Sequence, residues 1–299
     1  MPKICYVKRK FSRESLGMIE KANEIIAEYA AQGFALTLRQ LYYQFVARDL
    51  IPNNIKSYKN LGSVINDGRL AGLIDWRHIQ DRTRHLEENS HWEKPGDVIE
   101  SAAASYRIDL WARQDYRPEI WIEKDALIGV IEGVCQELDV PYLSCRGYTS
   151  QSEMWGSAQR IERWTRRGDQ TSVIFHFGDH DPSGKDMTRD IQDRLEMFMA
   201  EVKLERLALN MDQIEKYGPP PNPAKTTDSR ARAYIAEFGN DSWELDALSP
   251  EVIAELIRKA VTALQDDRKW REDEKRMETE RKLLLSAANQ WDKLSKKIK

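Results

Sequence analysis

The order of apolar patterns along the chain predicts an α/β fold, with a helical module ahead of a parallel sheet and a charged helical segment behind it. Three observations carry this. Helical spacing dominates the first hundred or so residues, short apolar strands alternate with helices after Arg117-Pro118, and the pattern from Pro250 onward is helical and densely charged. The expected divisions are 1–112, 113–250 and 251–299.

In the first division, Ile19, Ala22, Ile25, Ile26 and Tyr29 follow helical spacing between Ser15 and Ala31, and Gly33 is a natural stop. Thr37-Leu38-Arg39-Gln40 has the Thr-x-x-Gln form of a capping box, so a second helix should start there and end before Pro52 and Asn53-Asn54. A third helix is expected from about Tyr58 to Ala71. Leu73 to His85 is expected to form a hairpin. Three helices and a hairpin make a winged helix, a variant of the helix-turn-helix.

In the second division, strands are expected at Glu119–Glu123 (EIWIE), Pro141–Cys145 and Thr171–Phe177 (TSVIFHF). Helices are expected at Ala126–Leu138, Ser152–Arg167 and from Gly184 onward. Alternation of this kind implies a parallel sheet with helices on its faces. Tyr217 to Pro223, with three consecutive prolines, reads as a stiff surface loop.

Composition narrows the class. With 299 residues, 41% of them hydrophobic, the chain can fill the cores of two ordinary domains. It has no apolar run of about 18 residues and no apolar signal stretch at its start, so no membrane partner is expected. Cys5, Cys135 and Cys145 lack zinc-site spacing. Their odd number points to reduced thiols and a cytoplasmic protein, here associated with the nucleoid. A net charge of −3 argues mildly against a nucleic-acid binder. Its distribution softens that, because Lys3, Lys8, Arg9, Lys10 and Arg13 precede the first acid and Lys293, Lys296, Lys297 and Lys299 cluster at the other end.

Two helices carry candidate DNA chemistry. At about 100° per residue, Leu38, Leu41, Tyr42 and Phe45 share the core face of the second helix, while Tyr43 falls on the exposed side with Arg39. The two are four residues apart and hence neighbours. A phenol beside a guanidinium suits attack on a phosphate, with the arginine on the non-bridging oxygens. An exposed tyrosine near an arginine is also common without function. On the third helix, Lys59, Asn60, Ser63, Asn66 and Asp67 lie opposite the apolar face, with Lys56 just ahead. Lys56, Lys59, Asn60 and Ser63 suit a helix in the major groove, and an ordinary solvated face would look the same.

The acidic residues are the strongest signal. Glu123 ends the first expected strand, and Asp179 and Asp181 follow the third in Gly178-Asp179-His180-Asp181-Pro182-Ser183-Gly184. Ligands of open parallel sheets bind beyond the carboxyl ends of the strands, so the three carboxylates can converge there. Hard oxygen donors with open positions favour magnesium, with manganese as the alternative. The plainer reading makes Asp181 a helix cap and Glu123 an ion-pair partner. His176, inside a strand, and His180, in the turn, are assigned packing and turn roles rather than zinc ligation.

Taken together these residues resemble the family of type IIB topoisomerase A subunits and the related meiotic transesterase that makes recombination breaks. The resemblance runs from about Leu36 to Leu248, with a gap at 86–116. It rests on TLRQLYYQF (Thr37–Phe45), IEKDA (Ile122–Ala126), Arg146-Gly147-Tyr148, GDHDPSG (Gly178–Gly184) and WELDAL (Trp243–Leu248), the last resembling a late acidic strand. Gln40 departs from the aspartate common in the family at that place.

The resemblance implies a Toprim domain after the winged helix. It implies a magnesium site at Glu123, Asp179 and Asp181. Tyr43 would be the nucleophile that forms a 5′-phosphotyrosyl bond, Arg39 would stabilise the phosphate and Lys124 would help orient it. It further implies a homodimer on double-stranded DNA in which the tyrosine of one protomer works with the metal site of the other. ATP would act only through a separate B-type ATPase subunit, if one exists, because no ATPase module is recognisable here. The expectation is a stand-alone, miniature A subunit of the kind carried by phages or mobile elements. Two rival readings are a Toprim nuclease that hydrolyses DNA through water and a non-enzymatic winged-helix regulator.

Overall fold

The computed structural model describes residues 3–79, 89–198 and 200–291. It is a mixed α/β protein whose centre is a four-stranded parallel sheet. The strands are β1 (Tyr116–Ile122), β2 (Tyr142–Ser144), β3 (Thr171–Phe177) and β4 (Val202–Ala208), in the order β2-β1-β3-β4. Both faces are covered, so β1 and β3 carry apolar runs rather than a one-sided alternation. The period of two still decides which face each residue serves. Ile120, Ile122, Val173, Phe175 and Phe177 enter one core, whereas Trp121 and Ile174 enter the other.

On the first face lie α5 (Ile128–Glu137) and α10 (Pro250–Thr262), through Val130, Ile131 and Val134 and through Ile253, Ile257 and Val261. On the second lie α6 (Gln151–Gly168) and α7 (Pro182–Met197), through Met154, Ala158 and Ile161 and through Ile191 and Leu195. Glu119, expected as part of an apolar strand, is buried. It survives there because Arg160 binds it bidentately at 2.9 and 3.0 Å and Trp121 Nε1 donates to it at 2.8 Å.

The N-terminal module is α1 (Arg13–Ala31), α2 (Leu38–Ala47) and α3 (Ile55–Leu70). The capping box of α2 forms as read: Thr37 Oγ1 accepts from Gln40 N–H, and Gln40 Oε1 accepts from Thr37 N–H. Ser12 and Asn54 cap α1 and α3, which moves both starts ahead of the sequence expectation. Isoleucine and leucine side chains of the three helices meet in a separate core. Within the expected hairpin, residues 73–79 contain a short 3₁₀ turn at Trp76–His78 and an isolated parallel bridge from Ile79 to Leu36, not a strand of a hairpin. The remainder, 80–85, lies outside the described residues, as do Lys293, Lys296, Lys297 and Lys299.

Three further expectations change. β4 lies where the helix from Gly184 was expected to continue. Leu, Lys, Glu and Arg in VKLERLA favour helix, but Lys203 and Glu205 are exposed on an edge strand whose backbone pairs with β3. Tyr217 to Pro223 is not all loop. Tyr217 ends α8 (Met211–Tyr217), Gly218 closes it in the left-handed region, and β5 (Asn222–Pro223) follows. After α9 (Ala231–Phe238), the WELDAL segment is not a strand of the large sheet. β6 (Asp241–Ser242) pairs antiparallel with β5, and Leu245–Ala247 is a 3₁₀ turn.

The expected helical tail begins with α10, a core element. Its second helix, α11 (Asp267–Asn289), packs on α4 (Pro95–Ser105). No helix among the described residues is long and apolar enough to cross a membrane.

Candidate active site

The turn after β3 carries Gly178 to Pro182, and its shape depends on close backbone approach. A Cβ on Gly184 would lie 2.2 Å from the Asp179 carbonyl oxygen, so only glycine lets the first turn of α7 pack under the loop. Asp181 caps α7, its Oδ1 accepting from Gly184 N–H at 2.6 Å and from Ser183 Oγ at 3.2 Å. Arg206 on β4 holds the loop from beneath. It donates to the carbonyls of Gly178 (2.9 Å), Asp179 (2.5 Å) and Gly184 (2.9 Å) and to Thr188 Oγ1 (2.7 Å). Burial lowers its pKa to about 10, against the pull of Glu123, Asp179 and Asp181. Sequence reading missed Arg206 because it missed the strand that carries it.

Glu123 leaves the end of β1, and its Oε2 accepts from Asp179 N–H at 2.8 Å. Burial pushes its carboxyl upward, and the charge of nearby Asp181 adds to the effect. The strand ends therefore bring Glu123 beside Asp179, with Asp181 close enough to be felt. Among the described residues neither Glu123 Oε1 nor Asp181 Oδ2 takes part in a hydrogen bond. The chemistry of this donor set, hard carboxylate oxygens at the open end of a sheet, fits magnesium.

A second acidic group was not singled out from the sequence. Asp179, Glu244 and Asp246 offer oxygens that all lie within 4.8 Å of one another. Here the charge is already answered by protein. Lys124 Nζ contacts Asp179 Oδ1 (2.8 Å), Asp246 Oδ1 (2.9 Å) and Glu244 Oε2. Arg39 binds Asp246 Oδ2 through Nε (2.6 Å) and Glu244 Oε2 through a terminal nitrogen (2.7 Å). Leu245 N–H also donates to Asp179 Oδ1 at 2.7 Å. Burial pushes Glu244 up, but Lys124 and Arg39 outweigh it and hold its carboxyl well below the usual range. Burial wins at Asp179, whose carboxyl is pushed up despite Lys124. Both cations expected to meet phosphate are thus engaged by carboxylates, because the WELDAL segment folds over them instead of joining the sheet.

The tyrosines also differ from expectation. Tyr42 is a core residue as read, with its hydroxyl donating to Asn53 Oδ1 (2.9 Å) and near the Asn54 carbonyl (3.2 Å). Tyr43, expected on an exposed face, is only 4% exposed. The helical wheel separates it correctly from the three-helix core, yet its own side is covered by residues 222 and 242–247, so α2 is buried almost all round. Burial first, then the charges of Glu244 and Asp246, push the Tyr43 phenol up to about 12. The Arg39 guanidinium and a hydrogen bond from Asn222 pull the other way.

Tyr43 faces a cavity of about 310 Å³ whose wall also includes Arg39, Asn222, Lys225, Asp179 and Asp181. Lys56, Lys59, Asn60 and Ser63 are exposed on α3, the face assigned to DNA contact.

The histidines serve packing. His176 Nδ1 pairs with Thr188 Oγ1 at 2.9 Å, His180 Nδ1 pairs with the Tyr234 hydroxyl at 2.7 Å, and burial lowers the pKa of both. A Tyr42→Phe variant should lose about 1 kcal/mol of stability through the Asn53 hydrogen bond, a shift readable in a urea melt. A loss above about 3 kcal/mol would mean that the hydroxyl organises the α2–α3 junction as a whole.

No protein-family model matches the chain and no curated protein sequence matches it, so the functional reading rests on these residues themselves.

Proposed function

We propose that the chain is a magnesium-dependent, DNA-cleaving transesterase with a winged-helix module on a Toprim-like sheet. The observation that carries this reading is the shared cavity, in which a tyrosine from the helical module meets Asp179 and Asp181 from the carboxyl edge of the sheet. In the reaction, the Tyr43 oxygen bonds to a backbone phosphorus, the P–O bond to the neighbouring 3′-oxygen breaks, and a 3′-hydroxyl leaves. The phenol proton must be taken up, because burial keeps Tyr43 protonated at neutral pH.

Glu123, Asp179 and Asp181 would hold magnesium, which would supply charge stabilisation for the phosphate and the leaving oxygen. Lys124 and Arg39 keep the surrounding carboxylates neutralised and oriented, and Lys56, Lys59, Asn60 and Ser63 offer the duplex a polar helix face. A homodimer would supply the two tyrosines that a double-strand break needs.

The test is to incubate wild-type protein and Tyr43→Phe with end-labelled duplex and magnesium, denature, and look for protein joined to a 5′ end. The wild type should give the adduct. Tyr43→Phe should give at least about 10³-fold less, because the attacking atom is gone, while its duplex binding persists. Undiminished adduct from the variant would remove Tyr43 from the mechanism. A second reading, hydrolysis through water, is favoured by the covered position of the Tyr43 hydroxyl. Cleavage without any adduct would establish it.

A further inference from the structure

We infer that one chain supplies both halves of its active site, with Tyr43 acting in cis on phosphate held at its own Asp179 and Asp181. This inference rests on the transesterase reading, and it departs from the exchange of tyrosines between protomers that the resemblance implies.

Three observations place the nucleophile helix on its own sheet. Tyr43, Asp179 and Asp181 line one cavity within a single chain. Arg39, one turn before Tyr43, is clamped to Glu244 and Asp246, and Lys124 ties the same two acids to Asp179. Beyond the C-terminal end of α2, Asn53 Nδ2 donates to Asn222 Oδ1 at 2.7 Å and to the Pro221 carbonyl at 3.1 Å. Ala247, from the turn between these anchors, is buried in the core of the three-helix module.

To serve a partner's metal site, α2 would have to leave this position. That would strip Arg39 from Asp246, a carboxylate only 1% exposed, and open an apolar contact. Removing one member of a buried, hydrogen-bonded charge cluster is strongly unfavourable, whereas the cis arrangement needs only that DNA enter the cavity. Glu244 and Asp246 are therefore positioning residues. They act on the reaction through Arg39, by holding the helix that bears the nucleophile.

The test uses two variants, each lacking one half of the site. Tyr43→Phe lacks the attacking oxygen. Asp181→Asn keeps the helix cap, since asparagine caps as well as aspartate, but weakens metal binding. The two full-length chains are co-expressed with different tags, assemblies containing both are isolated, and adduct with labelled duplex and magnesium is compared with wild type and with each variant alone. With sites in cis, every site in the mixed assembly lacks one half, and adduct stays at the level of the single variants. With sites in trans, one of the two sites is complete and adduct returns to about half that of wild type. Such recovery overturns the inference and leaves the transesterase reading intact. Adduct from wild-type protein that forms no mixed assembly, being monomeric, supports the cis site directly. Absence of adduct from wild-type protein under all these conditions overturns both.

Discussion

Replacing Lys124 by methionine is expected to destabilise the protein by about 3–5 kcal/mol, since one buried ammonium answers three carboxylates and its loss leaves them facing one another. Lys124 Nζ reaches Asp179, Glu244 and Asp246, and Arg39 can compensate only the last two. The deficit should also depend on pH. Burial already raises the Asp179 carboxyl above its ordinary value. A carboxyl raised in the folded state contributes stability at low pH and loses it as the pH climbs through the folded value. Without Lys124 that value rises further, so the variant should recover stability relative to wild type as the medium is acidified. Urea unfolding of both proteins at mildly acidic and neutral pH measures this. An equal deficit at the two pH values would show that Asp179 is neutralised by something other than Lys124.

Gly184→Ala should be similarly severe for a different reason. The new methyl would sit 2.2 Å from the Asp179 carbonyl oxygen and 3.0 Å from its carbon, and the obstacle is backbone. Either α7 slides away from the loop or the loop leaves Arg206 and Glu123. Overpacking of a close backbone approach costs about 3 kcal/mol or more. The control is Gly133→Ala in α5, where a Cβ meets nothing within 4 Å. There the same chemical change should stabilise the protein by about 0.5–1 kcal/mol, by lowering the entropy of the unfolded chain. Thermal melts of the pair separate steric exclusion from glycine's general cost, and a Gly184→Ala melt close to wild type would refute the close approach.

These two sites show what could be read from residues alone. The Gly178–Gly184 turn, the strand ending at Ile122 and the capping box at Thr37 are local features, and the structure has them where the sequence reading put them. Lys124 and Glu123 are neighbours in the chain, yet they serve different acids, one answering Glu244 and Asp246 and the other bonding Asp179 N–H. That division depends on contacts across about 120 residues of sequence, and no local pattern encodes it. β4 was hidden for a related reason, since its composition favours helix and only pairing with β3 makes it a strand.

The sequence by itself determined the α/β class, the three-helix start, three of the four strands of the parallel sheet and the gathering of Glu123, Asp179 and Asp181 at its carboxyl edge. Each follows from a periodicity, a cap or a strand end, all of which are short-range. Only the tertiary structure decided that Tyr43 is covered, that Arg39 and Lys124 are spoken for by Glu244 and Asp246, and that Arg206 braces the aspartate loop. A helical wheel shows which residues share a side, but what lies against that side is set by packing between distant segments. Here a segment rich in acids turns away from the sheet and folds over the helix that bears the nucleophile, because two buried cations are there to receive it.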